Sequence, residues 1–422
     1  MRDPVKYPTL HPFTLKLHMK NIYAAILVLG TITSAHGQGC GEGRYQTEQF
    51  TSVTEVLGVT FGSNTAVTGG AQTLKMDVYM PTGDVLVDRP VILVAFGGSF
   101  IGGTRSDVAD LCRTFAKMGY VAVANDYRVG FFFPNATTTT RAVMRGAHDM
   151  KACIRYLRKS VAELDNPYGI DPDRIIAGGV SAGAISAIHA TYLDQESELP
   201  PVLAAESVAI GGVEGNSGNP GYSSAVLACM SMSGAIGDTL WVNAGDPPLV
   251  SVHDVGDGVV PYYTQEVSVI GIATGLVASG SYDLHQRCTH LGMPNCLLPY
   301  PGTGHVAYLT SDPVGSVGFV ATFCGQLVCN EATTCGNLTT AVKAIQEEGT
   351  FKVFPNPTSG LLQFTLPTAS EIRLLDVSGR VVMQLNAMSG IQHLDLSSLP
   401  DGLYTLFVQG ATNEVVKVVK GL

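Results

Sequence analysis

Ile175-Ile176-Ala177-Gly178-Gly179-Val180-Ser181-Ala182-Gly183, residues 175–183, joins an apolar run of strand length to a helical pattern ending at Tyr192, with no loop between them. The run Ile175 to Gly179 reads as a strand, and Gly179-Val180-Ser181-Ala182-Gly183 is a G-x-S-x-G pattern at its end. A serine hydroxyl is a poor nucleophile, so it must be held on a tight strand-to-helix turn where a base can reach it. Small neighbours permit that turn, and the helix N-terminus favours the negative charge of an intermediate. The pattern is common on its own; its place between strand and helix gives it weight.

Outward from this point, apolar runs of strand length alternate with helical stretches. The runs are Leu74 to Met80, Val91 to Phe96, Val121 to Asn125, Val226 to Ser231 and Leu249 to Val252; the helical stretches include Ser106 to Met118 and Ala142 to Val161. Gly119 stands at a helix stop and Asp171-Pro172 just ahead of a strand. Such alternation builds an α/β fold, a mostly parallel sheet with helices on both faces, whose buried strands read as continuous apolar runs. From Glu196 to Ser224 the chain is rich in Gly, Pro, Ser and Asn, which suggests an insertion over one edge of the sheet.

A serine nucleophile needs three further components. Phe96-Gly97-Gly98-Ser99-Phe100 follows a strand, and its glycines let backbone N–H groups turn toward a carbonyl oxygen. Donors of this kind stabilise an oxyanion by roughly 2.7–4 kcal/mol each. The N–H groups of Gly98, Ser99 and Ala182 are the candidates. For the acid, His253-Asp254-Val255-Gly256-Asp257 offers two carboxylates after the strand Leu249 to Val252. Asp257 is preferred, because Asp254 abuts the strand and is better placed to cap the turn. For the base, His305 ends a flexible Pro301-Gly302-Thr303-Gly304 turn, whereas His148, His189, His285 and His290 fall in helical patterns as ordinary surface or core residues.

Together these residues resemble the α/β-hydrolase fold and, within it, esterases and lipases of carboxylesterase type. The resemblance runs from about Leu74 to Cys329. It includes Met76-Asp77-Val78-Tyr79, Gly119-Tyr120-Val121-Ala122-Val123, Asp126-Tyr127-Arg128 and Tyr168-Gly169-Ile170-Asp171-Pro172. It implies Ser181 as nucleophile, Asp257 as acid and His305 as base, acting through an acyl-enzyme with no cofactor and no metal. One departure stands out: the family has His where this chain has Phe96, and Ser99 replaces a third glycine, so the bonds by which that His braces the loop are missing.

Two other readings compete with a secreted ester hydrolase. A serine peptidase of the same fold would need a propeller-sized domain that the short stretch between Gly37 and Leu74 cannot hold. A non-catalytic surface protein would show a broken triad, and all three positions are filled. The substrate is a small-molecule or polymer-linked ester whose pockets the loops Gly130 to Thr140 and Glu196 to Ser224 are expected to build. Phe131-Phe132-Phe133 reads equally as an aromatic or fatty-acyl wall and as a packed loop.

The 422 residues exceed what one core usually serves, so two domains are expected. With 45% apolar residues, disorder is excluded, and a net charge of −10 without a basic run excludes nucleic acid as a partner. Between Lys20 and Glu42 there is no charged residue, and the apolar core Ile22 to Ile32 is too short to span a bilayer. Lys16 and Lys20 ahead of it and Ala35-His36-Gly37 behind it give the zones of a secretory signal peptide cut after Gly37, with Met19 a better start than Met1 and no transmembrane anchor in the mature form. Nine cysteines in an exported chain are candidates for disulfides. Cys288 with Cys296, across a short loop, is the expected pair, and Cys153 and Cys229 read as buried thiols. No Cys-x-x-Cys occurs and no His stands near Cys324, Cys329 or Cys335, which argues against zinc.

After the expected catalytic domain, residues 38–329, a polar linker covers residues 330–350, with the boundary near Gly349. Beyond it, the short alternating runs Gly360 to Phe364, Glu371 to Asp376, Arg380 to Leu385, Gln392 to Leu396 and Leu403 to Val408 indicate a small all-β sandwich over residues 351–422. Val353-Phe354-Pro355-Asn356-Pro357-Thr358-Ser359-Gly360, Asp376-Val377-Ser378-Gly379-Arg380, Leu396-Ser397-Ser398-Leu399-Pro400-Asp401-Gly402-Leu403-Tyr404 and the closing Lys417-Val418-Val419-Lys420 resemble the type A sorting domain of the type IX secretion system of Bacteroidota. That resemblance implies a secreted or surface-attached protein exported through the periplasm, with the secretion machinery as partner.

Overall fold

The computed structural model describes residues 39–335 and 351–421, apart from residues 42, 131, 377–379 and 411–412. The signal peptide and the boundary near Gly349 lie outside the described residues. The chain divides into two compact units, one ending at Gly336 and the other beginning at Asn337.

The first unit runs β1 (Val53–Thr65), β2 (Ala71–Pro81), β3 (Arg89–Leu93), α1 (Ala109–Lys117), β4 (Val121–Asn125), α2 (Ala136–Glu163), β5 (Ile170–Val180) and α3 (Ala182–Tyr192). It continues with α4 (Ser207–Ile210), β6 (Ala228–Met232), β7 (Ala235–Ile236), β8 (Leu249–Asp254), β9 (Gln265–Val269), β10 (Ile272–Gly280), α5 (Ser281–His290), β11 (Asn295–Tyr300), α6 (Tyr308–Ser311) and α7 (Pro313–Val328). Eight strands form one sheet in the order β1-β2-β4-β3-β5-β6-β8-β11. Only the β1–β2 and β2–β4 pairings are antiparallel. From β4 to β11 every pairing is parallel. Every residue of β3, β4, β6 and β8 is buried, which is why these strands read as mostly apolar runs without an alternating polar face.

Three features differ from the sequence expectation. The edge strand β1 was hidden because its pairing with β2 slips twice, after Val56 and after Thr60, which breaks its alternation. Helix α2 starts six residues before Ala142, behind Asn135, whose side chain accepts from Thr138 N at 3.0 Å; the β-branched run Thr137 to Thr140 masks that start. The pairing of Cys288 with Cys296 is wrong. Cys40 bridges Cys329 and Cys296 bridges Cys335, with Cα separations of 5.7 and 5.1 Å, while Cys288 is a buried thiol. Cys288 lies on the face of α5 that enters the core, and Cys335, in the chain beyond α7, reaches Cys296 on edge strand β11. Cys153 and Cys229 are buried and free, as expected. The 196–224 insertion lies against β1, where Ser63 N donates to Ser217 O at 3.0 Å, and its Leu203 and Val213 form a small cluster with Met144 and Leu193.

The second unit is a sandwich of β12 (Leu361–Leu366), β13 (Ser370–Leu375), β14 (Val381–Ala387), β15 (Gly390–Asp395), β16 (Gly402–Gln409) and β17 (Asn413–Lys420). Strands β12 and β15 pair, and a four-stranded sheet runs β14-β13-β16-β17. Leu362, Phe364, Leu374, Leu394 and Leu406 fill its own core. The final strand β17, read only as a basic tail from sequence, is tied down at two points: Asn356 Oδ1 of the Pro-Asn-Pro motif accepts from Val419 N at 2.9 Å, and Lys420 Nζ meets Asp401 Oδ1 of the Pro-Asp-Gly turn at 2.8 Å.

Candidate active site

Ser181 sits between β5 and α3 with φ 55° and ψ −120°, in the left-handed region that side chains rarely adopt. The turn closes because its neighbours are glycine: a Cβ on Gly183 would lie 2.1 Å from Ala95 O, and one on Gly179 would lie 2.4 Å from the carbonyl carbon of Gly183. Ser181 N donates to Met232 O at 2.8 Å, which anchors the turn on β6.

The three residues expected to act together do meet. His305 Nε2 lies 2.7 Å from Ser181 Oγ, and His305 Nδ1 lies 2.7 Å from Asp257 Oδ2. Asp257 Oδ1 accepts from Val259 N at 2.8 Å and Val260 N at 3.0 Å. Burial alone would raise the Asp257 pKa. Bonds from His253, His305 and these two amides outweigh it and hold the carboxyl well below its usual range, so it stays ionised. Asp254 is outside this relay. Its Oδ2 accepts from Ala307 N at 3.0 Å and steadies the turn carrying His305, while burial raises its pKa.

Sequence reasoning missed His253, the residue just before Asp254. Its Nε2 lies 3.2 Å from Val260 O and 3.4 Å from Asp257 Oδ2, and its Nδ1 lies 2.8 Å from Ser281 Oγ. The ring, fully buried, approaches the same carboxylate oxygen as His305. A histidine ending a buried strand beside two candidate acids was the available signal.

At the proposed oxyanion loop, Gly98, Ser99 and Phe100 have φ of 120°, 54° and 61°. Among the described residues, the N–H groups of Gly98, Ser99 and Ala182 donate to no protein acceptor. The missing histidine is replaced by an aromatic brace: the Phe96 ring stacks on Tyr127 at 4.3 Å, and Tyr127 OH donates to Phe96 O at 2.9 Å.

Beside Ser181 opens an apolar cavity of about 80 Å³, lined by Phe100, Val143, Ile185, Val260, Leu276 and other small or apolar groups. Its roof comes from the β9–β10 hairpin, not from the loops expected to build it; among the described residues of those two loops, Thr139 alone is in the lining. Phe132 and Phe133 are 63% and 87% exposed and neither wall the cavity nor pack, and Phe131 lies outside the described residues. His189, expected to be an ordinary residue, forms part of the cavity floor. Its Nδ1–H donates to Ile185 O at 2.8 Å and its Nε2 accepts from Gly237 N at 3.2 Å.

Burial holds His189 and His285 at a pKa of about 4 and His148 at about 3. In the unfolded chain each returns to about 6.5. Between pH 6.5 and 4 the unfolded chain therefore binds more protons than the folded one, so stability is full above 6.5 and falls as pH drops. Each group contributes about 1.4 kcal/mol per pH unit. Denaturant titrations at pH 7.5, 5.5 and 4.5 should show stability collapsing toward zero at the lowest pH, and an unchanged midpoint would contradict the buried neutral rings.

The fold and this geometry define an α/β-hydrolase. Residues 76–216 match the BD-FAE family, and residues 352–420 match the secretion system C-terminal sorting domain. Lipase 1 of Geotrichum candidum is 28% identical over 124 residues, 28% of this chain and 21% of the lipase. Chlorogenic acid esterase of Aspergillus niger is 26% identical over 168 residues, 38% of this chain and 32% of the esterase. The chain thus spans about a third or less of the curated relatives it matches. Among solved structures, Thermogutta terrifontis esterase 2 phosphorylated by paraoxon aligns with a TM-score of 0.42 at 21% identity, covering 62% of this chain and 86% of the other. The first unit has the α/β-hydrolase fold and is similar to esterases and lipases, and the second is similar to a secretion sorting domain. No helix among the described residues is long and apolar enough to cross a membrane.

Proposed function

We propose that the protein is an exported serine carboxylic ester hydrolase. The observation that carries this reading is the hydrogen-bonded chain Ser181–His305–Asp257, with both links at 2.7 Å, beside three N–H groups free to receive an oxyanion. Ser181 attacks the ester carbonyl while His305 takes its proton, and Asp257 holds the imidazole and stabilises its charged form. The N–H groups of Gly98, Ser99 and Ala182 meet the charge that develops on the carbonyl oxygen. The alcohol leaves with the proton from His305, and water then cleaves the acyl-enzyme by the same groups.

The cavity beside Ser181 suits a short aliphatic acyl group. A cavity of about 150 Å³ is what accommodates a benzene ring in a dry protein interior, and this one is about 80 Å³. Although one relative is a chlorogenic acid esterase, an aromatic acyl group would need the β9–β10 hairpin to move. Turnover of p-nitrophenyl acetate and butyrate should exceed that of the octanoate and of methyl ferulate by at least tenfold in kcat/KM. Faster turnover of methyl ferulate would overturn the acyl assignment, and turnover of a peptide anilide alone would overturn the ester reading.

Each unit has its own apolar core, so a chain ending at Cys335 should keep full ester turnover. In the native host the same truncation should hold the enzyme in the periplasm, because the sorting domain is what the type IX machinery would read. Cell fractionation checks this, and truncated enzyme found in the medium would contradict it.

A further inference from the structure

A second cavity, of about 220 Å³, lies between α2 and the 196–224 insertion. Three guanidinium groups line it. Two are matched by carboxylates: Arg128 pairs with Asp149 at 2.9 Å and Arg141 with Glu206 at 2.8 Å. The third, Arg145, has no carboxylate within 4.0 Å among the described residues. Its Nη2 donates to Gly130 O at 2.8 Å, and its Nε is buried without a partner. We propose that this cleft is an anion site, in which Arg145 receives a carboxylate or similar small oxyanion.

A half-buried guanidinium without a counter-charge is costly, and a planar oxyanion can answer its fork of N–H donors with two parallel bonds. Burial, together with repulsion from Arg128 and Arg141 and only partly offset by attraction from Asp149, pulls the Arg145 pKa down to about 10, the direction that a bound anion would reverse. His148, also in the lining, is bonded through Nε2 to Gly212 O at 2.9 Å and stays neutral, so the positive charge of the cleft comes from the arginines.

The cleft is coupled to the ester site by short links. Gly130, held by Arg145, donates from its N–H to Phe100 O at 2.5 Å, and Phe100 lines the acyl cavity. Val143, two residues before Arg145 on α2, lines that cavity as well. An anion on Arg145 thus belongs either to the far end of an acidic ester substrate or to a free oxyanion that sets the Gly130–Phe100 contact. The two sources share one chemistry and differ kinetically. The site itself does not depend on the ester reading, because binding can be measured without turnover.

Calorimetric titration of the full chain in low-chloride buffer with inorganic phosphate and with glucuronate should give saturable binding in the millimolar range. Arg145→Gln should weaken it at least tenfold. Arg141→Gln, at the exposed rim, should weaken it about threefold and serves if the first variant fails to fold. Phosphate changing the turnover of p-nitrophenyl acetate would identify a free effector. A lower KM for a glucuronate-bearing ester, lost in Arg145→Gln, would identify a substrate-borne carboxylate. Absence of binding by both probes at 20-fold above the millimolar range, or binding unchanged in every folded arginine variant, would overturn the proposal.

Discussion

Ser181→Ala leaves a folded protein whose kcat for short-chain esters falls by about 10⁶, the scale on which a lone triad nucleophile is lost. The fold tolerates the change because alanine keeps the Cβ around which the turn is built. The left-handed backbone at Ser181, with φ 55°, is held by the glycines at 179 and 183 and by the Ser181 N bond to Met232 O, none of which involves the hydroxyl. Only the 2.7 Å contact to His305 Nε2 disappears. A residual 10³–10⁴-fold acceleration over water should remain, since the oxyanion donors are backbone groups that the substitution does not touch. Steady-state turnover of p-nitrophenyl acetate, with thermal melting as the control for folding, measures both. A variant that melts normally and retains activity within tenfold would remove Ser181 from the mechanism.

The elbow was readable because its chemistry and its sterics demand the same residues. A serine that must be exposed at the end of a buried strand needs glycine wherever the helix passes within a Cβ of the strand, and positions 179 and 183 meet that need. The buried strands β3, β4 and β8 were readable for a different reason: water touches neither face, so the run is mostly apolar and does not alternate. What escaped notice depends on approach in space. The β9–β10 hairpin alternates weakly, turns on Ile270-Gly271 and is half exposed, so nothing in its local pattern announces that its inner residues roof the cavity. Disulfide partners are fixed by tertiary neighbours, and Cys40 and Cys329 are 289 residues apart. The small pocket is likewise a product of α2, α3, β7, β9 and β10 meeting, and Phe132 and Phe133, which drew attention to their loop, are exposed and take no part in it.

The two carboxylates of the 254–257 segment should separate cleanly on substitution, because their bonds constrain an asparagine differently. At position 257 two backbone donors, Val259 N and Val260 N, require an oxygen at Oδ1. An asparagine that keeps its carbonyl there must turn its amide NH2 toward His305 Nδ1. That nitrogen then has to accept, its proton moves to Nε2, and the imidazole faces Ser181 with a donor where a base is needed. Rotating the amide instead sets NH2 against two N–H groups with no acceptor between them. His253 Nε2, 3.4 Å from Oδ2, opposes the substitution as well, because it offers a donor to the position the NH2 would take. Asp257→Asn should therefore lower kcat/KM by about 10⁴, the cost of a wrong tautomer. Asp254→Asn meets none of this: the bond from Ala307 N is one an amide oxygen can accept, and the raised pKa of Asp254 means that burial already disfavours its charge. Its loss should stay under tenfold. Parallel kcat/KM measurements on the two folded variants decide the matter. If Asp254→Asn proves the more damaging, the turn that positions His305 governs the rate and Asp257 is not the acid.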